Sequence, residues 1–355
     1  MKLSFVTANL GSGGAERVTS LLANQFCQRG YEVEIIFFRD RQLFYEIDDG
    51  VKIVILGEEC HSTALWRKML WLRHYVKKTR PDIIIPFRVS VYCTTILSLL
   101  GISVPIIASE RIDPHVPDSY WTLLRKLLLP FVKRLVVQTQ YIKSYYPKFI
   151  QKKTIVIPNP VRNEVFKEES GEWRVERKQN RIISVGRLYP QKNQEMMIRA
   201  FAKVADKFPG WQLVIYGEGP LRESLELIVE SLEMQGRVLL PGRTEHVIEE
   251  LRKSKIFCMS SDYEGMSNSM IEAICVGLPV ISTKVSGTEE MIIDDKNGFL
   301  VEKNDEEKMA RCFQFTIGSK ELREQFSIYN KGLATRFKAE SIVNQWESLF
   351  NKIVN

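Results

Sequence analysis

The stretch SDYEGMSNSMIEAICVGLPVIST, residues 261–283, decides how this 355-residue chain folds. It overlaps the end of IFCMSS, an apolar run that predicts a buried strand. Ser267 or Asn268 then caps a predicted helix, which runs to Gly277 and is stopped by the Leu-Pro pair that follows. A strand, a loop and a helix in this order form the repeating unit of a parallel α/β sheet.

The same order recurs on both sides of this stretch. The first half contains the apolar runs LSFVTAN, VEIIFF, VKIVIL, DIIIPF, VPIIAS and RLVVQT, and the second half contains RIISVG, WQLVIYG, RVLLPG, IFCMSS, PVISTK and FLVE. Helical segments separate these runs. Continuous apolar runs of this length are typical of parallel strands that are buried on both faces. We therefore predict two doubly wound α/β domains with parallel sheets, and the cleft between them is the expected ligand site.

A polar stretch marks the border between the two domains. KEESGEWRVERKQN, residues 167–180, interrupts the alternating pattern and predicts a linker between a domain at 1–166 and a domain at 181–338. The last segment has helical spacing and no strand to follow it, so we expect a helix at 339–355 that packs back on the first domain. Its apolar positions are Ile342, Val343, Trp346, Leu349 and Ile353.

Composition limits the class of protein. The chain is 45% apolar and 26% charged, which is typical of a folded globular protein, and its six cysteines occur singly, with no CxxC pair. Neither a disulfide framework nor a zinc site is predicted. The apolar run at the N-terminus is too short for a signal peptide, and no window predicts a membrane-spanning helix. We expect a cytoplasmic protein that can still associate with a membrane.

Two glutamates in the deciding stretch predict a ligand site. The backbone N–H groups at the start of the helix, together with the helix dipole, form a phosphate site. They belong to Gly265, Met266, Ser267 and Asn268. Glu272 lies roughly 6 to 8 Å along the helix and can accept hydrogen bonds from two ribose hydroxyls, while Glu264 can reach a sugar. This spacing suits a nucleotide sugar better than a metal, although solvated surface acids are the plain alternative.

GRLYPQK, residues 186–192, supplies the complementary charge. Arg187 and Lys192 lie in a loop before a second helix, where they can neutralise a diphosphate without a metal. No Asp-x-Asp triplet occurs in the chain, and solubilising loop cations are the alternative reading. GSGGAE, residues 11–16, is a glycine turn that allows close approach of an anion but does not complete the dinucleotide motif.

These motifs together resemble the family 4 glycosyltransferases of the GT-B fold. The resemblance rests on EGMSNSMIE, GRLYPQK, GSGGAER, VIPNPV, YGEGPLRE and LPGR, and it covers essentially the whole chain. It implies two Rossmann-like domains that face each other across a cleft, and a retaining transfer from a nucleotide-diphosphate sugar without a metal. UDP is the nucleotide that the resemblance favours, and no tightly bound cofactor is expected.

The resemblance also implies roles for individual residues. Glu272 is expected to bind ribose, Arg187 and Lys192 to bind the diphosphate and assist its departure, and Glu264 to position the donor sugar. Gly13 and Gly14 are expected to face the phosphate from the other domain. Arg243 and the Gly217 loop are expected near the base.

One segment departs from the family pattern. Many members have a His-Asp pair where this chain reads SERIDPH, with Glu110 and Arg111, so we expect His115 to be a loop residue. Retention in this family is thought to proceed by front-side attack assisted by the leaving phosphate. A protein base is then not required.

Charge is distributed unevenly between the two halves. Residues 1–160 carry 22 Lys and Arg against 13 Asp and Glu, while the rest of the chain carries 28 against 30. Segments 61–80 and 119–153 contain no acidic residue. The spacing of segment 61–80 predicts a helix with one face toward the core, formed by Leu65, Met69, Leu72 and Val76. On its other side, Trp66, Leu70 and Trp71 lie among the basic residues. We expect the first domain to dock on the inner face of the cell membrane and to receive a lipid-linked acceptor there, although a solvated face with its tryptophans packed on neighbours is the alternative reading. The resemblance is to family members that extend saccharides linked to polyprenyl diphosphate, for O-antigen, capsule or protein glycosylation, and it implies an acceptor of this kind.

Three other functions fit the sequence less well. A nucleotide-sugar epimerase or hydrolase on the same fold needs a pair of acid/base carboxylates at the sugar, and the second domain offers mainly Glu264. A nucleic-acid-binding module is disfavoured because its usual motifs are missing from the sequence. A dehydrogenase is disfavoured by the incomplete glycine motif.

Overall fold

The structure is a computed structural model, and it describes residues 1–11, 13–39, 43–115, 119–166 and 179–354. Its contacts divide the chain into two compact units: Met1–Pro160 with Glu340–Asn355, and Val161–Ala339. Most of the predicted linker, residues 167–178, lies outside the described residues.

The first unit is a parallel sheet covered by helices. Its strands are β1 Lys2–Thr7, β2 Glu32–Phe37, β3 Lys52–Ile55, β4 Ile83–Pro86, β5 Ile107–Ser109, β6 Arg134–Val137 and β7 Thr154–Val156. Its helices are α1 Gly14–Gln28, α2 Leu56–Glu59, α3 Leu65–Thr79, α4 Val89–Leu99, α5 Ser119–Leu128, α6 Gln140–Tyr145 and α7 Lys148–Gln151, with a 3₁₀ turn at Leu129–Phe131. The strand order is β3-β2-β1-β4, continued by β5-β6-β7 through isolated parallel bridges between β4 and β5.

The last helix of the chain, Ala339–Val354, completes this unit. Ile342, Val343 and Trp346 are fully buried in the same core cluster as α1 and the sheet. Glu347 accepts hydrogen bonds from Arg29 and from the Tyr31 hydroxyl, at 2.8 and 2.7 Å. The helix therefore adds both apolar burial and a polar tie to the first unit.

The second unit repeats the same design. Its strands are β8 Arg181–Val185, β9 Gln212–Tyr216, β10 Val238–Gly242, β11 Ile256–Met259, β12 Val280–Thr283 and β13 Gly298–Val301. Its helices are α8 Gln194–Ala205, α9 Arg222–Ser231, α10 Val247–Lys253, α11 Asn268–Cys275, α12 Glu306–Gly318 and α13 Lys320–Leu333. Short 3₁₀ turns occupy Asn163–Phe166, Pro190–Lys192 and Ala334–Phe337. The strand order β10-β9-β8-β11-β12-β13 is that of a Rossmann sheet, with β8 and β11 adjacent.

All twelve predicted strands are confirmed, and the structure adds β7. The helix of the deciding stretch begins after Ser267, as predicted, but ends at Cys275 rather than at Gly277. Gly277 follows with a left-handed φ of +80° and caps the helix end. No helix in the described part of the chain is long and apolar enough to cross a bilayer.

The border between the units differs from the predicted domain limit at residue 166. The contacts divide the chain at Pro160, because Val161 pairs with Lys338. Val165 is buried with Phe337 in a core cluster of the second unit. The segment after Pro160 is therefore held by the second unit before the undescribed residues begin.

Candidate active site

Two loops of the second unit are joined at the carboxyl edge of its sheet. One follows β8 and the other follows β11. The Asp262 N–H donates to the Gln191 carbonyl at 2.9 Å, and the Ser260 hydroxyl donates to the Lys192 carbonyl at 2.9 Å. Asn193, in a left-handed conformation with φ +45°, donates its side-chain amide to Asp262 at 3.1 Å. These bonds hold Lys192 against the second loop.

The Lys192 ammonium forms an ion pair with the Glu264 carboxylate. The Ser261 hydroxyl donates to the same carboxylate oxygen at 2.9 Å. Both charged side chains are largely buried, with exposed fractions of 16% and 12%. Arg187, in the same loop as Lys192, is exposed, and its guanidinium carbon lies 5.0 Å from the centre of the Tyr189 ring. Two predicted cations and one predicted carboxylate thus lie on adjoining loops.

Helix α11 directs its N-terminus at these loops. The Ser267 hydroxyl caps the helix by accepting from the Met270 N–H at 3.4 Å, and Ser269 donates to the Val185 carbonyl at the end of β8 at 2.9 Å. Gly265, Met266 and Ser267 are buried, and Asn268 is half-buried. The positive end of the helix dipole therefore lies beside the Lys192–Glu264 pair.

Glu272 lies within helix α11 and is only 2% exposed. Burial raises the pKa of the nearby Cys275 thiol, and the negative charge of Glu272 raises it further. A buried carboxylate is costly unless it is hydrogen-bonded. Glu272 is therefore part of the packed interior of helix α11, and it is also a predicted ligand contact.

Gly217 allows the loop after β9 to touch the loop after β8. A Cβ atom at Gly217 would lie 1.9 Å from the Gly186 carbonyl oxygen. The Gly217 N–H donates to the Gly242 carbonyl at 2.8 Å, and exposed Arg243 follows directly. Gly217 and Arg243 therefore lie on loops at the same edge as Lys192.

The loop after β12 lies at the candidate site but was not predicted from the sequence. A Cβ atom at Gly287 would lie 2.6 Å from the Gly265 carbonyl oxygen and 3.1 Å from the Met266 Cα. The neighbouring Ser286 hydroxyl is buried and has no hydrogen-bond partner among the described residues. The signal was present in the sequence as Ser-Gly-Thr shortly after a predicted strand. We add Ser286 to the candidate site.

The glycine turn of the first unit lies against the carboxylate of Glu16. Gly13 caps helix α1, of which Gly14 is the first residue, and a Cβ atom at Gly13 would lie 2.1 Å from Glu16 Oε2. Glu16 is buried and pairs with Arg88 at 3.1 Å. An anion at this turn would meet the Glu16 carboxylate, and Arg88 supplies the compensating positive charge.

The segment SERIDPH separates into a structural part and an exposed part. Glu110 is fully buried and accepts from Arg125 at 3.2 Å and from the Tyr92 hydroxyl at 2.9 Å. His115 lies in a turn, where its Nδ1 is 2.9 Å from the carboxylate of Asp113, and its side chain is 47% exposed. Glu110 therefore stabilises the first unit, whereas His115 reaches solvent.

The basic segments of the first unit expose apolar side chains. On α3, Trp66 and Leu70 are about 60% exposed, as predicted, but Leu65 is also exposed because the helix begins there. Trp71 is half-buried and stacks on Tyr75, with ring centres 4.8 Å apart, so its predicted place among the cations is wrong.

Helix α5 and the turn after it form a second exposed stripe. Its members are Tyr120, Leu123, Leu127 and Phe131, each 60% exposed or more. Lys126 and Lys133 lie exposed beside them. The stripe combines apolar and basic side chains on one surface of the first unit.

The described residues contain no group of three or more His, Cys, Asp or Glu side chains that is placed to hold a metal ion.

Comparison with known proteins identifies the family. Residues 12–165 match the family model Glycosyltransferase Family 4, and residues 165–332 match the model Glycosyl transferases group 1. A Campylobacter jejuni α-1,4-N-acetyl-D-galactosaminyltransferase, named for the acceptor GalNAc-GalNAc-diNAcBac-PP-undecaprenol, is 30% identical over 100% of this chain and 99% of its own. The chain belongs to glycosyltransferase family 4. It is therefore a glycosyltransferase.

Solved structures agree on the fold of this family 4 glycosyltransferase. Anabaena HepE in complex with UDP and glucose has a TM-score of 0.82 at 17% identity and covers 99% of both chains. A Staphylococcus aureus TarM mutant, in complex with UDP and two saccharide ligands, has a TM-score of 0.81 at 15% identity and covers 99% of this chain and 100% of its own. The glycosyltransferase has the predicted GT-B fold, built from two Rossmann-like units.

Proposed function

We propose that this glycosyltransferase moves a hexose or N-acetylhexosamine from a UDP-sugar to a saccharide linked to polyprenyl diphosphate, with retention at the anomeric carbon. The observation that carries the proposal is the Lys192–Glu264 ion pair beside the N-terminus of α11. The Lys192 ammonium and the helix N-terminus suit the diphosphate of a nucleotide sugar, and the Glu264 carboxylate suits its sugar. Glu272, within the same helix, suits its ribose.

The donor is held by the second unit in this proposal. The diphosphate accepts hydrogen bonds from Arg187, Lys192 and the N–H groups of Gly265–Asn268, and Ser286 adds a hydroxyl. Glu272 accepts from the ribose hydroxyls. Gly217 and Arg243 lie near the base.

The chemical step uses the charge that develops on the leaving diphosphate. As the bond between sugar and phosphate breaks, negative charge grows on the phosphate oxygens, and Arg187 and Lys192 stabilise it without a metal. Glu264 positions the sugar. The oxygen of the acceptor hydroxyl bonds to the anomeric carbon on the face that the diphosphate leaves, and its proton passes to the departing phosphate. Attack on that face retains the configuration of the donor.

Two observations support a lipid-linked acceptor at a membrane. The Campylobacter jejuni relative is named for an undecaprenol-linked acceptor. The first unit exposes apolar side chains among lysines on α3 and α5, a pattern that suits anionic lipid headgroups. We place the enzyme peripherally on the inner face of the cell membrane.

A thermal-shift screen tests the donor site. The purified protein is heated with UDP, GDP, ADP, CMP or NAD, with and without EDTA. A ligand that binds only the folded state raises the midpoint of unfolding. We expect UDP to raise it, EDTA to leave the shift unchanged, and Glu272→Gln to reduce it. A shift with NAD alone, or with none of these ligands, contradicts the donor site.

An activity assay tests the rest of the proposal. The protein is incubated with UDP-sugars and lipid-linked saccharides, and the anomeric configuration of the product is read by NMR. A product that keeps the configuration of the donor supports retention. Release of free sugar without transfer would instead favour a hydrolase.

A further inference from the structure

The carboxyl edge of the first unit's sheet holds an arginine with no carboxylate partner among the described residues. Arg111 follows β5, and its guanidinium donates from Nε to the Ser109 hydroxyl at 2.8 Å and from Nη1 to the Asn159 side-chain oxygen at 2.6 Å. Its Nη2 is buried and has no hydrogen-bond partner within the described ranges. The residue as a whole is half-buried.

Two aromatic rings lie close to the guanidinium. Its central carbon lies 5.3 Å from the centre of the Phe87 ring and 5.9 Å from that of Trp346, which belongs to the last helix of the chain. Two hydrogen bonds and two rings leave the planar group little freedom, so Nη2 is oriented in advance. Burial lowers the pKa of Arg111 to about 9, because no nearby carboxylate offsets the cost of desolvating its charge.

Neighbouring polar groups are also unsatisfied. Gln138, at the end of β6, donates to the same Asn159 oxygen as Arg111, at 2.8 Å, while its own side-chain oxygen is buried and unpartnered among the described residues. The indole N–H of buried Trp346 has no partner there either. Buried polar atoms without partners are uncommon in a folded protein. The Trp346 N–H is a donor that an oxyanion can accept from, whereas the Gln138 oxygen is an acceptor and needs a donor such as a ligand hydroxyl or an ordered water.

We infer that Arg111, Gln138 and Asn159 form an oxyanion-binding subsite of the first unit, which takes a phosphate or carboxylate group of the acceptor. Arg111 provides the charge and its remaining N–H donors, and Gln138 and Asn159 hold it in place. A half-buried cation without a counter-ion gains most from an anion. The ends of parallel strands are also where ligands bind in such sheets. The assignment to the acceptor rests on the proposed function, whereas anion binding itself does not.

The test separates anion binding from donor binding. Thermal unfolding is followed in saturating UDP, which fills the donor site, while inorganic pyrophosphate or glucuronate is added. We expect one of the two anions to raise the unfolding midpoint of the wild-type protein. The same anion should raise the midpoint of Arg111→Lys by less and leave the midpoint of Arg111→Gln unchanged. Pyrophosphate as the active anion indicates the lipid diphosphate, and glucuronate indicates an acidic sugar. Arg80→Gln, which changes an exposed arginine of the same unit, serves as the control and should behave as wild type.

Steady-state kinetics provide a second readout. Arg111→Gln should raise KM for the lipid-linked acceptor by roughly tenfold or more and leave KM for the donor unchanged. Gln138→Met, which keeps the volume but removes the amide, should raise the acceptor KM less. The inference is overturned if the anions act equally on Arg111→Gln and wild type, or if the acceptor KM is the same in both. If UDP stabilises a variant, that variant is folded. If UDP fails to stabilise the wild-type protein, the result counts against the proposed function and not against the anion subsite.

Discussion

Lys192 donates to the carboxylate of Glu264 across two loops that leave adjacent strands of the second unit. The two residues lie 72 positions apart in the chain, and the backbone of each loop is hydrogen-bonded to the other. The ion pair is therefore placed by the fold and not by local sequence. A diphosphate bound here would compete with Glu264 for the Lys192 ammonium, which leaves the carboxylate able to accept from the donor sugar.

Replacing Lys192 by alanine should lower kcat by roughly 100- to 1,000-fold, because one charged donor to the leaving diphosphate is lost. The measurement is steady-state transfer with saturating donor and acceptor. Lys203→Ala is the matched control, since Lys203 also pairs with glutamates of the second unit but at an exposed position on α8. Equal kcat values for the two variants would remove Lys192 from the reaction.

Glu272→Gln should weaken UDP binding by roughly 10- to 100-fold, because hydrogen bonds to a charged acceptor are stronger than those to an amide. Calorimetric titration with UDP measures the change. The glutamine fits the same space inside α11, so the fold should be kept. Glu230→Gln, at an exposed position on α9, should bind UDP as wild type does. Unchanged affinity in Glu272→Gln would exclude the ribose contact.

Gly217→Ala should destabilise the second unit, because the new Cβ atom would lie 1.9 Å from the Gly186 carbonyl oxygen and must push the two loops apart. We expect a loss of about 2 kcal/mol or more in the free energy of unfolding and weaker UDP binding. Gly332→Ala provides the opposite case. No atom lies within 4 Å of its added Cβ, and alanine favours the helix, so stability should rise by about 0.5–1 kcal/mol. Urea unfolding of both variants gives the comparison.

Tyr31 should make the first unit less stable at alkaline pH. Burial first, and then the hydrogen bond to Glu347, raise the pKa of Tyr31 to about 12. Between its ordinary value of 10.0 and about 12, the folded state keeps a proton that the unfolded chain has lost, so the free energy of unfolding falls as pH rises through that window. Below pH 10 the contribution of Tyr31 to the free energy of unfolding is fully present.

Tyr31→Phe isolates this effect from that of the other tyrosines. The variant should be less stable than wild type at pH 8, and the difference between them should shrink above about pH 10. Urea unfolding across this range measures it. A constant difference would show that the Tyr31–Glu347 bond does not titrate in this way.

The strands and the helix start of the candidate site could be predicted from sequence because they depend on local patterns. Buried parallel strands are continuous apolar runs, and Ser267 is a strong helix cap. The fate of single side chains was less predictable. Leu65 has the spacing of a core residue but lies at the first position of its helix, where its side chain is 50% exposed.

Contacts between loops could not be predicted from spacing. The Gly287 loop reaches Gly265 from the end of another strand, so this contact leaves no pattern in the sequence. Arg111 could be seen as a departure from the family pattern, but its surroundings depend on long-range packing. The adjacent Glu110 pairs with Arg125, and the ring of Trp346, from the far end of the chain, lies 5.9 Å from the Arg111 guanidinium.

Leu127→Asp should weaken binding to vesicles that contain anionic lipid, because a charge would replace an apolar side chain in the exposed stripe of α5. Sedimentation with anionic and with neutral vesicles measures the bound fraction at several salt concentrations. Lys126→Glu should weaken binding mainly at low salt, since roughly 1 kcal/mol of attraction per basic residue is screened by ions. Leu227→Asp changes an equally exposed leucine of the second unit and should bind as wild type. If Leu127→Asp and Leu227→Asp bind alike, the α5 surface is not the membrane contact. If wild type ignores anionic vesicles altogether, the acceptor must reach the enzyme without docking through the first unit.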